Sequence, residues 1–86
     1  MKLKEGFLLR EVAGQYLVIS TASDLNANKM VTLNETGAFL WKLMESETSE
    51  EVLTAALLTE YDVDEATARK SVTTFVQTLN AHEFLA

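Results

Sequence analysis

Residues able to perform nucleophilic, acid–base or metal chemistry are few in this chain and scattered. It has no cysteine, and its one histidine, His82, lies near the chain end without an identifiable serine or acid partner. Neither a thiol nucleophile nor a Ser-His-Asp triad can be written. Glu83 follows His82, but adjacent residues on a helix point about 100° apart, and the further ligands of a metal site are missing. Gly6, Gly14 and Gly37 stand too far apart for a phosphate loop or a dinucleotide fingerprint. The carboxylates Glu50, Glu51, Asp62, Asp64 and Glu65 fall where helix starts favour negative charge, so capping accounts for them more simply than acid catalysis. Phe39, Trp41 and Met44 could line a ligand pocket, yet in so short a chain core packing is their more economical role. The expectation is a protein without catalytic residues, metal or cofactor, and therefore not an enzyme.

The remaining function classes are narrowed by bulk properties. At 86 residues with 48% apolar side chains and no cysteine, the chain has room for one domain, residues 1–86, stabilised by packing rather than by disulfides. The apolar stretch Phe7-Leu8-Leu9 is broken at once by Arg10 and Glu11, which is too short for a signal peptide. No apolar run approaches the ~20 residues that span a bilayer, so a cytoplasmic location without membrane contact is the expectation. A net charge of −6 opposes nonspecific attraction to nucleic acid or anionic lipid. The excess of acid is greatest from Ser49 onward, where Arg69 and Lys70 are the only bases.

Three strands and three helices would have to position any site. Gly6 to Val12 and Gln15 to Thr21 favour β-structure and flank Ala13-Gly14, a two-residue hairpin connection. Tyr16-Leu17-Val18-Ile19 are all apolar, as expected of a middle strand. Asp24-Leu25-Asn26-Ala27-Asn28 reads as a turn before a third strand, Lys29-Met30-Val31-Thr32-Leu33. Asn34 caps a first helix carrying Phe39, Leu40, Leu43 and Met44 and ending near Ser46. Thr48-Ser49-Glu50-Glu51 matches a capping box with Thr48 as the cap, opening a second helix that buries Val52, Leu53, Ala56, Leu57 and Tyr61. After the break at Asp62-Val63-Asp64, Asp64 opens a third helix with the stripe Ala68, Val72, Phe75, Val76 and Leu79, sealed by Phe84 and Leu85. The fold class expected is α+β, a three-stranded antiparallel sheet followed by three helices.

The ordered series Met30-Val31-Thr32-Leu33-Asn34-Glu35-Thr36-Gly37-Ala38-Phe39-Leu40-Trp41-Lys42-Leu43 resembles the PqqD family. The likeness continues through Thr48, Glu50, Glu51, Val52, Leu57 and Tyr61 to Val72, Phe75, Val76 and Leu79. The resemblance implies a winged helix-turn-helix-like domain, a recognition element that binds the leader segment of a ribosomally made precursor peptide. It also implies the partners: that leader peptide, and a peptide-modifying enzyme, such as a radical SAM maturase, to which the peptide is presented. In the family the leader adds as a strand to the third strand and lies against the third helix. Carried over, the peptide-binding residues would be Lys29, Met30, Val31, Thr32 and Leu33 on the strand, with Arg69, Thr73, Val76 and Asn80 on the flank of the third helix. Ser71 stands where members often carry an acid, and Ser23 to Asn28 lacks the Pro and Gly of the PQQ-pathway proteins. The resemblance is thus to the broader family, with PQQ or another peptide product left open.

Two other classes stay open at this level. Three helices beside a small sheet also suit a winged-helix transcription regulator, although the acidic helices argue against DNA. The chain could equally be a structural subunit of a maturase complex, or a homodimer.

Overall fold

The computed structural model describes residues 1–20 and 30–86. The turn expected at Asp24 to Asn28, the strand residue Lys29 and the strand end at Thr21 lie outside these. The first two strands, β1 (Phe7–Val12) and β2 (Gln15–Ser20), pair antiparallel with Val12 opposite Gln15. Between them Ala13 and Gly14 take φ of 52° and 80°, the paired positive φ that a two-residue hairpin turn needs to match the strand twist. The third strand, β3 (Met30–Leu33), pairs antiparallel with β2, giving the order β1-β2-β3. The apolar β2 is therefore the middle strand, as its sequence predicts.

Side chains alternate across this sheet. Phe7, Leu9, Tyr16, Val18, Val31 and Leu33 face the core, with Val18 fully buried. On the opposite face Leu8 and Ile19 are cross-strand partners, 45% and 38% exposed. The outer face of β2 is partly covered, with Leu17 half-buried beside the exposed Ile19.

Each helix opens on a polar cap. In α1 (Glu35–Met44) the Asn34 side chain accepts from the Gly37 amide at 2.7 Å, satisfying one of the orphan donors of the first turn. In α2 (Glu50–Glu60) the cap is Ser49, whose hydroxyl accepts from the Val52 amide at 3.2 Å. This corrects the expected capping box by one residue: Thr48 stays outside the helix, and its buried Oγ1 has no hydrogen-bond partner. In α3 (Glu65–Ala81) the Asp64 carboxylate accepts from the Thr67 amide at 2.6 Å. Hydrogen bonding from Thr67 holds the Asp64 carboxyl below its ordinary range.

The buried line of α2 also departs from expectation. Leu53, Thr54 and Leu57 are buried while Val52 is 57% exposed. Thr54 can lie inside because its hydroxyl donates to the Glu50 carbonyl at 2.7 Å, so its own polar group is satisfied. Leu53 and Leu57 stay inside as expected, but Thr54 joins them at one edge of the packed face while Val52 turns outward at the other.

The core joins Leu40, Trp41 and Met44 of α1, Leu53 and Leu57 of α2, and Ala68, Val72 and Leu79 of α3. Phe84 completes it. Beyond α3 the amides of Glu83 and Phe84 donate to the carbonyls of Asn80 and Leu79, with Glu83 at φ 60°. This C-terminal cap turns the chain back over its own helix. Phe84 then meets Phe7 and Trp41 edge to face, with ring centroids 4.6 and 5.6 Å away. The two chain ends are stitched together beside it, Lys4 N to Phe84 O at 2.8 Å and Ala86 N to Lys2 O at 2.9 Å.

Candidate functional site

The sequence singled out β3 and α3, and the structure places them beside one another through the start of α1. β3 pairs with β2 on one side, and among the described residues no strand pairs with its other edge. Because alternate residues of a strand present their N–H and C=O to the same edge, four residues leave two donors and two acceptors open there. Val31 and Leu33 point to the core and Thr32 to the exterior. Met30 lies opposite Ile19 in the pairing with β2.

Directly after Leu33 the chain enters the wall of a cleft of about 380 Å³. Asn34, Thr36, Gly37 and Leu40 form one side, and Lys70, Ser71, Thr74, Phe75 and Thr78 of α3 form the other. The floor is apolar, with Leu40 buried and the Phe75 ring half-buried against the core. The rim carries the hydroxyls and the Asn34 amide. Gly37 sets the width: a Cβ there would lie 3.3 Å from Phe75 Cε1, 3.4 Å from Leu33 Cβ and 3.2 Å from Asn34 Oδ1. The missing side chain lets the ring of α3 approach the junction where β3 becomes α1.

The third-helix residues expected from the sequence lie elsewhere on α3. Val76 is half-buried and packs on the core. Thr73 faces α2, its hydroxyl donating to Glu50 Oε1 at 3.3 Å. Arg69 is exposed and pairs with Glu65 at 3.3 Å, and Asn80 is exposed. Arg69 and Thr73 line a second, shallower depression with Ala66, Lys70 and Thr74. Lys70 and Thr74 thus belong to both surfaces. The cleft residues Ser71, Thr74, Phe75 and Thr78 are not among those inferred from the sequence. Their signal was present in the spacing i, i+3, i+4 and i+7, which defines one helix face. It was obscured because three of the four are polar, so an apolar count assigned only Phe75 to a stripe.

No group of three or more His, Cys, Asp or Glu side chains able to hold a metal occurs among the described residues. No helix there is long and apolar enough to cross a membrane.

Residues 7–85 match the family model of coenzyme PQQ synthesis protein D. The chain belongs to the PqqD family. PqqD-like recognition domains are noncatalytic. Two solved structures share the fold. TbiB1 in complex with the TbiA(beta) leader peptide is similar at a TM-score of 0.79 and 21% identity, over 99% of this chain and 94% of that one. A lasso peptide synthetase B1 complexed with the leader peptide is similar at 0.76 and 16% identity, over 96% and 93%. No curated protein matches the chain.

Proposed function

We propose that this PqqD-family domain binds the leader segment of a ribosomally made precursor peptide as a fourth strand on β3, and presents it to a peptide-modifying enzyme. The observation that carries the reading is the edge of β3, unpaired among the described residues, running into an open cleft walled by α3. Both similar structures hold a leader peptide, which supports the same use of the fold here. The mode is strand addition, with Met30, Val31, Thr32 and Leu33 as the docking backbone and Lys29 extending it. A peptide seated there drops alternate side chains toward Phe75 and Leu40. One long enough to pass the rim reaches Arg69 and Thr73 in the adjoining depression, with Val76 and Asn80 further along the helix.

Magnitudes assign different work to the two parts. Four edge hydrogen bonds at roughly 1 kcal/mol net each reach only the lower end of an association cost of about 4–15 kcal/mol. Burying on the order of 250 Å² of apolar surface in the cleft adds about 6 kcal/mol. The edge therefore supplies register and the cleft most of the affinity. The enzyme served, such as a radical SAM maturase, is the one encoded with the precursor. Co-purification with and without the leader tests that assembly, and light scattering separates it from a homodimer.

The decisive test is titration of the isotope-labelled domain with the leader encoded beside its gene, followed by amide NMR. Shifts are expected at Val31 to Leu33 and at Ser71 to Thr78. Unchanged spectra in both segments at millimolar peptide would sink the reading. Shifts at Arg69, Thr73 and Asn80 without Ser71 and Phe75 would move the wall to the other flank of α3.

A further inference from the structure

Among the cleft-lining residues one side chain is charged, Lys70. It stands apart from its neighbour Arg69, which is paired with Glu65; no ion pair of Lys70 is formed among the described residues. Lys70 also contributes to the shallower depression on the other side of the α3 ridge. Its position is at the rim, where a long aliphatic stem can lie along the wall while the ammonium stays hydrated.

We infer that Lys70 makes the cleft selective for a peptide that carries an acidic side chain two residues from the apolar side chain seated on Phe75. The inference rests on the strand-addition reading above and specifies which peptides that site prefers. The spacing follows from the two geometries that meet in the cleft. Lys70 and Phe75 are five residues apart on α3, about 7.5 Å along the helix axis at about 1.5 Å per residue. Two residues of an extended strand advance about 6.8 Å, and residues two apart point to the same face. For a peptide strand running along α3, an apolar side chain above Phe75 brings the side chain two positions away to the axial level of Lys70, whose long stem reaches the cleft from about 140° further round the helix; both residues line the cleft.

The charge argument is local. The chain as a whole carries −6, which repels an acidic peptide at long range. Salt screens that field beyond a Debye length of about 8 Å at physiological strength, whereas a carboxylate within contact distance of Lys70 lies inside it. Ser71 and Thr74 supply hydroxyls that can also donate to such a carboxylate, whereas the Thr78 hydroxyl already donates to the Thr74 carbonyl. No acidic residue lines the cleft to compete.

The test uses the full chain and a displayed library of random 12-residue peptides, selected in parallel on the wild type, Lys70→Gln, Lys70→Glu and Lys42→Gln. Lys42 is exposed on α1 and outside the cleft, so its variant removes the same charge elsewhere. Wild type and Lys42→Gln should both enrich Asp or Glu two positions from an apolar residue. Lys70→Gln should lose that enrichment, and Lys70→Glu should replace it with Lys or Arg. A synthetic wild-type-selected peptide should bind Lys70→Gln about two- to fivefold more weakly, the range of an exposed ion pair. The difference should vanish at 1 M salt, as expected when the Debye length falls to about 3 Å. Selected peptides that shift the Val31 to Leu33 amides but show no acidic preference overturn the role of Lys70 and leave strand addition standing. Selected peptides that leave those amides unmoved, or a failure to select any binder, overturn both.

Discussion

The two ends of this small domain are built on different terms. At one, Phe84 is enclosed by Phe7 and Trp41, and the chain termini are hydrogen-bonded to each other beside it. At the other, β3 stops at Asn34 and opens into a cleft whose floor is Phe75 and whose rim is hydroxyl-bearing. At the first end the Phe84 and Trp41 rings are fully buried and Phe7 is partly covered. At the second the Phe75 ring is half-buried, beside an edge of β3 that no strand pairs with among the described residues. A domain without disulfides must hold its stability in packing, and concentrating it at the closed end permits an open one.

The largest expected effect breaks the closed end. Phe84→Ala removes a ring that is fully buried and touches three others, those of Phe7, Trp41 and His82, a loss of about 3–5 kcal/mol for a core aromatic. Urea denaturation should show a large fall in midpoint. If the folded fraction of this variant still binds a leader peptide with wild-type affinity, the two ends are independent. Coupled losses of stability and affinity would show instead that the closed end positions the cleft.

At the open end Phe75→Ala should do the reverse. The ring is half-buried, so its removal should cost about 1–2 kcal/mol of stability, less than a fully buried side chain. Its effect on leader binding should be larger in proportion. Leaving about 60 Å² of a peptide side chain's apolar surface in water costs about 1.5 kcal/mol, roughly tenfold in Kd. Calorimetric titration beside thermal melts separates the two quantities. Unchanged affinity would remove the cleft from the binding site.

The contrast between the ends also explains what the sequence disclosed. Strand order, helix order and the Asn34 and Asp64 caps follow from local pattern, because cap chemistry and hydrophobic periodicity are short-range properties. The closing role of Phe84 was legible as an apolar residue just past a polar helix end. Two local readings failed where tertiary packing chose between near-equivalent options. Thr48 and Ser49 are both good caps, and the chain uses Ser49 while Thr48 remains outside the helix. Val52 and Thr54 compete for the inner face of α2, and a hydrogen bond to Glu50 lets the threonine win. The cleft itself was least legible. Gly37, Ser71, Thr74 and Thr78 are ordinary helix residues until the start of α1 and α3 are seen to flank the same opening. Polar residues on a helix face read as solvated surface unless another element is known to stand opposite them.

A smaller effect is expected at the hinge between the two regions. Asn34 both caps α1 and lines the cleft. Asn34→Ala should cost about 1 kcal/mol, typical of a lost cap, whereas Asn34→Ser and Asn34→Asp should be close to neutral in stability. The three variants sharpen the comparison because they divide capping from peptide binding. Binding that follows stability across the series assigns Asn34 a positioning role. Weaker binding by the well-capped Asn34→Ser would assign the longer amide a direct role at the rim.

The smallest effect lies away from both ends, at the hairpin turn. Ala13 holds φ at 52°, a left-handed conformation in which Cβ crowds the following carbonyl oxygen. Asparagine tolerates that region better and precedes glycine in the favoured two-residue turn, so Ala13→Asn should stabilise the domain by about 0.5–1 kcal/mol. Ala13 is exposed, and the turn joins β1 to β2, away from the open edge of β3. Leader affinity should therefore stay unchanged while the thermal midpoint rises by a few degrees. A change in affinity here would mean that the outer edge of the sheet responds to the twist of its far hairpin. The open end would then be held in shape by the whole sheet, and not by Gly37, Phe75 and the α1 cap alone.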